Sequence, residues 1–321
     1  MTTTTPGRLT HLISAQDLDF DTTTLLLDTA EQMLPIAERQ RPSAPTLRGK
    51  VVCNLFLEDS TRTRLSFDIA AKRLSAETIT FSKAGSSISK GESFKDTALT
   101  LNAMGVDCVV LRSRSSGAPT LLSRYIDVPI INAGDGWHQH PTQALLDAFT
   151  LRQHFGSLTD RRIILVGDIL HSRVARSLVQ VLTTLGAKMR LVAPKTLLPP
   201  GVHAWPVETA NTLDEALAPK DADAVYMLRV QRERMDRAFF PSAGEYSQLW
   251  GMNMRRLATL PEHAIVMHPG PMNRGVEIAA DVADAPQSVI TEQVTNGIAV
   301  RMACLYHVFF GDEDLHQEDA R

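Results

Sequence analysis

Ser60, Thr61, Arg62, Thr63 and Arg64 stand in unbroken succession after the apolar run "KVVCNLFL". They precede a helical pattern in which Phe67, Ala70, Ala71 and Leu74 recur at i, i+3, i+4 and i+7. Asp59 or Ser60 is the natural N-cap, because a short side-chain oxygen accepts from the open N–H groups of a first turn. Arg62 and Arg64 then lie at the positive end of the helix dipole, where carboxylates are favoured and cations are not. Open N–H groups, hydroxyls and a guanidinium meeting at a helix N-terminus form an anion site, most simply for phosphate. Capping plus surface arginines accounts for Ser60 but leaves two cations set against the dipole.

Other strand-like runs end in the same kind of residue. Arg112 closes "DCVVLRS"; taken alone it reads more readily as a solvated arginine than as a ligand. After "PIINAG" comes "DGWHQHPTQALLD", where Pro141 suits the first helical position and holds His140 extended before it. His140 is a ligand or a satisfied polar residue, and Gln143 a ligand or a helix cap. His138 and His140 are two apart with no cysteine partner, which speaks against a metal site. "KAGSSISKGES" carries Lys90 between turn signals, as a surface loop or as a lid delivering an ammonium to an anion. "VGDILHSRVARS" lacks the GxGxxG of a dinucleotide site and opens a helix with Arg173 and Arg176. "VYMLRVQRER" places Arg229 and Gln231 at a strand exit, and "MHPGPMNRG" is a stiff loop presenting backbone carbonyls and able to hold a cis proline.

The elements behind these residues follow a βαβα rhythm. The strands are "KVVCNLFL", "TITFS", "DCVVLRS", "PIINAG", "RRIILVGDI", "MRLVAP", "DAVYMLRV" and "AIVMHPG", with helical patterns such as "SRVARSLVQVLTTLGA" between them. Parallel sheets covered on both faces follow. Eight strands divide into two groups of four around a long helix near residues 141–155. The expected fold is α/β, two doubly wound parallel-sheet domains with the active site in the cleft between them. The domains are expected to span 1–150 and 151–291, with a C-terminal helix, 292–321, packing back on the first. In such sheets ligands bind beyond the carboxyl ends of the strands, where the polar residues above lie. The stretch near 232–254 reads as a functional loop or a peripheral helix.

The 321 residues suffice for two filled cores; 44% are hydrophobic and 21% charged, as in ordinary globular chains. With a formal net charge of −3, no general drive toward nucleic acid or an anionic membrane exists, so any basic site is local. Cys53, Cys108 and Cys304 are widely spaced and odd in number, as expected of reduced thiols in a cytoplasmic protein. "MTTTTPGRLT" lacks the apolar core of a signal peptide, and no apolar run approaches the roughly 18 residues of a membrane span.

Taken together, "STRTR", "SSISKGE", "HPTQALLD", "LRVQRER" and "HPGPMNRG" resemble the transcarbamoylase superfamily, and within it the aspartate transcarbamoylase catalytic chains. The motifs run in family order over nearly the whole chain. The resemblance implies transfer of a carbamoyl group from carbamoyl phosphate to the amino group of L-aspartate, giving N-carbamoyl-L-aspartate and phosphate in pyrimidine synthesis. It implies that residues 1–150 bind carbamoyl phosphate and 151–291 bind aspartate. Ser60, Thr61, Arg62, Thr63 and Arg112 would hold the phosphate. Thr63, Arg112 and His140 would converge on the carbonyl oxygen, while Gln143 and the carbonyls around Gly270 and Pro271 receive the carbamoyl NH2. Arg173, Arg229 and Gln231 would fix the aspartate carboxylates. Ser86 and Lys90 would enter from a neighbouring subunit, Lys90 reaching the aspartate, which makes a homotrimer necessary.

No metal or organic cofactor is implied. Two departures stand out: Gly270 occupies a position where some family members carry leucine, and the bulky Trp137 lies beside the site. The wording of "HPGPMNRGVEI" and "GDILHSRVARS" looks most like bacterial chains that associate with a dihydroorotase-like partner, and whether such a partner or a regulatory chain binds stays open. Ornithine transcarbamoylase is the nearest rival, weakened by the Lys90 loop, the Arg229–Gln231 pair and the missing His-Cys-Leu-Pro stretch. A catalytically silent scaffold that binds carbamoyl phosphate is the rival of another class.

Overall fold

The computed structural model describes residues 9–40, 43–82, 92–230 and 242–311. The chain divides into two compact units: residues 1–149 with 295–321, and residues 150–294. The first unit holds strands β1 (Val51–Phe56), β2 (Glu77–Ser82), β3 (Cys108–Ser113) and β4 (Ile130–Asp135), all parallel in the order β2-β1-β3-β4. Its helices are α1 (Phe20–Ala37), α2 (Thr61–Arg73), α3 (Phe94–Ala103) and α4 (Ala118–Leu122). Both faces of β1 and β3 are buried, as a covered parallel sheet requires. One face packs Cys53, Leu55, Val109 and Leu111 against Ala98 and Leu101 of α3 and Leu122 of α4.

Helix α5 (Pro141–Phe155) carries the chain into the second unit. There strands β5 (Arg162–Val166), β6 (Lys188–Val192), β7 (Val207–Ala210), β8 (Ala224–Met227) and β9 (Ile265–Met267) form a parallel sheet in the order β7-β6-β5-β8-β9. Helices α6 (Arg173–Thr184), α7 (Leu213–Leu217), α8 (Ala243–Trp250), α9 (Met254–Leu257) and α10 (Ala280–Ala283) belong to this unit. Helix α11 (Ile290–Phe310) runs from it into the C-terminal part of the first unit.

The two doubly wound parallel sheets expected from the sequence are present. The expected four-plus-four division is corrected to four plus five among the described residues, because β7 escapes the apolar signal. Val207-Glu208-Thr209-Ala210 is an edge strand with two exposed positions, so it offers no apolar run to read. In the stretch near 232–254, residues 231–241 lie outside the described residues, and Ser242 caps α8.

Each sheet reverses its winding once. In the first, the chain moves from β1 outward to β2 and returns to β3 on the other side of β1. In the second it moves from β5 through β6 to β7, then returns to β8 beside β5. The carboxyl ends of β1 and β3, and of β5 and β8, therefore flank the crevices where doubly wound sheets bind ligands.

Candidate active site

At the first crevice, α2 begins directly beyond β1. Ser60 occupies its N-cap with φ −161° and ψ 97°, yet its hydroxyl makes no capping bond, and the first turn holds no acidic residue. By contrast α1, α3 and α6 are capped by the side chains of Asp19, Ser93 and Ser172. The start of α2 thus keeps open N–H groups, a free-standing cap hydroxyl and Arg62 exposed on the first turn. Thr63 is buried on the same turn. Arg112 pairs in register with Phe56, the last residue of β1, which brings it beside α2. Its Nη1 donates to Thr63 Oγ1 at 3.4 Å and to the Ala133 carbonyl at 3.1 Å, while Nε lies 3.6 Å from Glu58 Oε2. Ser60, Thr61, Arg62, Thr63 and Arg112 are therefore brought together, with Glu58 orienting the guanidinium from behind.

Beyond β4 the loop to α5 is fixed by Asp135. Its carboxylate accepts from Asn132 Nδ2 (2.8 Å), the Gln139 N–H (3.0 Å), the Gly117 N–H (2.7 Å) and His138 Nδ1 (3.0 Å). Gly136 lies at φ +49°, where any Cβ would stand 2.3 Å from Ser116 Oγ. This loop ends at His140, which is 4% exposed and whose carbonyl accepts the Gln143 N–H at 3.0 Å. Gln143 does not cap the helix with its side chain; Nε2 donates instead to Asp147 Oδ1 at 3.0 Å. An ionised carboxylate only accepts, so this bond orients the amide with its carbonyl oxygen turned away from Asp147, available to an N–H donor. Trp137, by contrast, is 44% exposed.

Asp147 lies within electrostatic reach of the buried Arg301 of α11. Arg301 Nη1 donates to Ser66 Oγ on α2 and to the Gly297 carbonyl, both at 2.9 Å, and its guanidinium stacks 5.2 Å from the Phe67 ring centroid. Burial pulls its pKa down to about 10, against the opposing effect of Cys304 and Asp147. One buried cation on α11 thus bonds α2 and faces the charge of Asp147 on the helix that carries Gln143.

At the second crevice Arg173 is the first residue of α6 and only 4% exposed, behind a cap in which Ser172 Oγ accepts from the Ala175 N–H at 3.1 Å. Arg176, its sequence companion, turns elsewhere: Nη2 donates to the Leu170 carbonyl at 3.2 Å and the guanidinium lies 5.7 Å from the Trp205 ring. Arg229 is half-buried two residues beyond β8. Gly167, at φ +131°, lets β5 end against β8, since a Cβ there would come 3.0 Å from Leu228. Beyond β9, the peptide between Gly270 and Pro271 is cis, and both residues are partly or fully exposed. Ser86, Lys90 and Gln231 lie outside the described residues.

The carbamoyl-P binding domain of aspartate/ornithine carbamoyltransferase matches residues 10–153, and the Asp/Orn binding domain of the same enzymes matches residues 159–308. The chain belongs to the aspartate/ornithine carbamoyltransferase family. Within that carbamoyltransferase family, the aspartate carbamoyltransferase catalytic subunit of Acidothermus cellulolyticus is 61% identical over 303 residues, covering 94% of this chain and 93% of its own. Aspartate transcarbamoylase of Trypanosoma cruzi, solved in complex with N-(phosphonacetyl)-L-aspartic acid, superposes with a TM-score of 0.84 at 30% identity, covering 92% of this chain and 95% of its own. The catalytic subunit of aspartate transcarbamoylase from M. jannaschii gives a TM-score of 0.81 at 37% identity, covering 94% and 98%. The resemblance carried by the five motifs is borne out.

Motif reading passes over the carboxylates that bond or face these residues: the partly buried Glu58 and the buried Asp135, Asp147 and Glu277. A single acid carries no periodic signal. Of the four, Glu58 had the best local cue, being two residues before Ser60 at a strand exit. Among the described residues no helix is long and apolar enough to cross a membrane, and no cluster of histidine, cysteine and acidic residues is arranged to hold a metal ion.

Proposed function

We propose that this chain transfers the carbamoyl group of carbamoyl phosphate to the amino group of L-aspartate, releasing phosphate and N-carbamoyl-L-aspartate for pyrimidine synthesis. The observation that carries the reading is the start of α2: an uncapped helix N-terminus with Arg62 on its first turn and Arg112 bonded to Thr63 beside it, at the winding reversal between β1 and β3. Dipole, N–H groups, hydroxyls and guanidinium all favour one dianion there.

The roles follow from the chemistry. Ser60, Thr61, Arg62, Thr63 and Arg112 bind the phosphate. Thr63, Arg112 and His140 stabilise the oxyanion formed when the amine attacks the carbonyl, the kind of donor worth about 3–4 kcal/mol when removed. Gln143, whose amide nitrogen is held by Asp147, offers its carbonyl to the carbamoyl NH2, as do the carbonyls around Gly270 and Pro271. The departing phosphate takes the proton lost by the amine. No side-chain nucleophile is required, and the thiols are unsuited to that role: burial pushes Cys53 and Cys304 up to about 12, and Cys108 up as well.

Aspartate is favoured over ornithine as acceptor because Arg173 and Arg229 place two guanidinium groups at strand exits of one unit, which suits a dicarboxylate and repels a second ammonium. The 61% identity to a chain named as an aspartate carbamoyltransferase catalytic subunit supports the same choice. Gln231 and Lys90 complete the aspartate site, with Ser86 and Lys90 supplied by the neighbouring subunit of a homotrimer. The free thiols suit a reducing, cytoplasmic setting. A colorimetric assay for ureido product, with carbamoyl phosphate and either aspartate or ornithine, tests the reading. Product with aspartate alone is expected; product only with ornithine overturns the acceptor, and none with either overturns the activity.

A further inference from the structure

Glu277 is fully buried in the second unit, although a carboxylate gains nothing from burial without partners. Its backbone is pinned, because the Glu277 carbonyl accepts from the Met252 N–H at 2.9 Å and the Ala279 N–H donates back to the Met252 carbonyl at 2.8 Å. Its side chain holds a loop. Oε1 accepts from the Asn273 N–H at 2.5 Å and lies 3.2 Å from His268 Nε2. The other ring nitrogen of His268, Nδ1, accepts the Gly270 N–H at 2.8 Å. A ring nitrogen that accepts carries no proton, so His268 is the neutral tautomer with its hydrogen on Nε2, directed at Glu277. The His268 N–H in turn donates to Gln293 Oε1 at 2.9 Å. One carboxylate therefore fixes a histidine tautomer, and that tautomer fixes the amide of Gly270. The second link runs onward: Asn273 Nδ2 donates to the Val230 carbonyl at 3.4 Å, one residue after Arg229.

We propose that Glu277 is a positioning residue for the transfer reaction, setting the loop His268–Asn273 through His268 and setting the β8 exit that carries Arg229 through Asn273. The inference rests on the function proposed above, in which this loop offers carbonyls to the carbamoyl amide and Arg229 binds aspartate. It makes two contributions of the second unit, the loop carbonyls and Arg229, depend on one buried acid.

The test combines steady-state kinetics with direct binding of inorganic phosphate to the full-length chain. Glu277→Ala lowers kcat about 100-fold, the scale of a displacement of about 1 Å at a reacting group, and raises the aspartate KM. Glu277→Gln keeps an acceptor oxygen for both donors and stays within about tenfold of wild type, since charge-assisted bonds are roughly twice as strong as neutral ones. Phosphate affinity, set by the first unit, stays unchanged in both. Wild-type kinetics in folded Glu277→Ala, a glutamine variant as impaired as the alanine one, or a parallel loss of phosphate binding each overturns the proposal. If Glu277→Ala does not fold, Asn273→Ala decides: it raises the aspartate KM about fivefold by removing one hydrogen bond, and an unchanged KM overturns the link to β8. Should the wild-type chain make no N-carbamoyl-L-aspartate, the reaction proposed above has failed rather than this inference. Imidazole 15N shifts, assigned with His268→Asn, then decide it: a single Nε2-protonated His268 in wild type and Glu277→Gln is expected, and a tautomer mixture in wild type overturns it.

Discussion

Arg62 and Arg64 differ by two positions, and the helix separates their work. Arg62 is exposed on the uncapped first turn of α2, whereas Arg64 is half-buried and acts electrostatically on Asp68, one turn along. Burial raises the Asp68 carboxyl, but hydrogen bonds from Lys72 and Thr78, with the charges of Lys72 and Arg64, bring it below the ordinary carboxylate value. Arg62→Ala should therefore reduce kcat by about 100-fold or more, the scale of losing a donor aimed at developing charge, while thermal unfolding stays at the wild-type temperature. Arg64→Ala should do the reverse, retaining phosphate binding and slightly lowering the melting temperature. Equal kinetic losses in both would place the phosphate elsewhere on the helix. The same reasoning explains why the candidates Arg62, Arg112, His140 and Gln143 are legible in motifs and their supports are not. A polar residue at a strand exit is announced by the strand before it. Glu58, Asp147 and Glu277 are announced only by partners that folding brings near, as when Arg301 meets Ser66 across 235 positions of sequence.

Elements position these residues through a few buried ions. In the first unit Arg301 joins α11 to α2 by its bond to Ser66 and faces the charge of Asp147 on α5. Arg301→Met should destabilise the chain by about 3–5 kcal/mol in denaturant unfolding, because the bonds to Ser66 and the Gly297 carbonyl are lost and the buried Asp147 loses a nearby cation. Combined with Asp147→Asn, the loss should fall short of the sum of the two single losses; strict additivity would show that the groups do not interact. In the second unit Arg256, 1% exposed, joins α7, α8 and α9. Its Nε and Nη2 donate to the two oxygens of Asp214 at 2.9 and 2.8 Å, Nη2 reaches the Gln248 carbonyl at 2.6 Å, and Nη1 donates to the Gly251 carbonyl. Bonding to Arg256, opposed by partial burial and assisted by Arg255, holds the Asp214 carboxyl down to about 2. A depressed folded-state value means that the stabilisation is complete above the ordinary value of 3.8 and is lost as pH falls toward 2. Asp214→Asn should thus lower the melting temperature at neutral pH by an amount that shrinks steadily below pH about 4, modestly, since Asp214 is half exposed and screened. A deficit unchanged down to pH about 2 would mean that the charge contributes nothing. Neither Arg301 nor Arg256 carries a local signature, and for the same reason β7 escapes the sequence pattern: a four-residue edge strand with two exposed positions owes its place to pairing with β6, not to its own pattern.

At the scale of the whole molecule, the chain concentrates cations at strand exits while its formal net charge is −3. That distribution suits two anionic substrates without inviting polyanions. The domain-scale pattern was legible because parallel strands buried on both faces are continuous apolar runs, and the reversals of winding are where polar residues collect. Assembly is a different matter, for the residues proposed to act across subunits, Ser86 and Lys90, follow β2, which lies at the edge of the first sheet. If Lys90 serves a neighbour's site, a chain carrying Lys90→Ala and a chain carrying Arg62→Ala are each inactive for complementary reasons. The first keeps a sound phosphate site and lacks only what its neighbour supplies, while the second supplies an intact Lys90 to the next subunit. Co-folded from denaturant in equal amounts, they should form trimers at random, so that about a quarter of all sites, roughly one in each mixed trimer, receive both intact groups around a closed ring. Activity near that fraction, appearing only after co-folding, is the expected result. Verified mixed trimers that remain as inactive as either parent would show that Lys90 acts within its own chain.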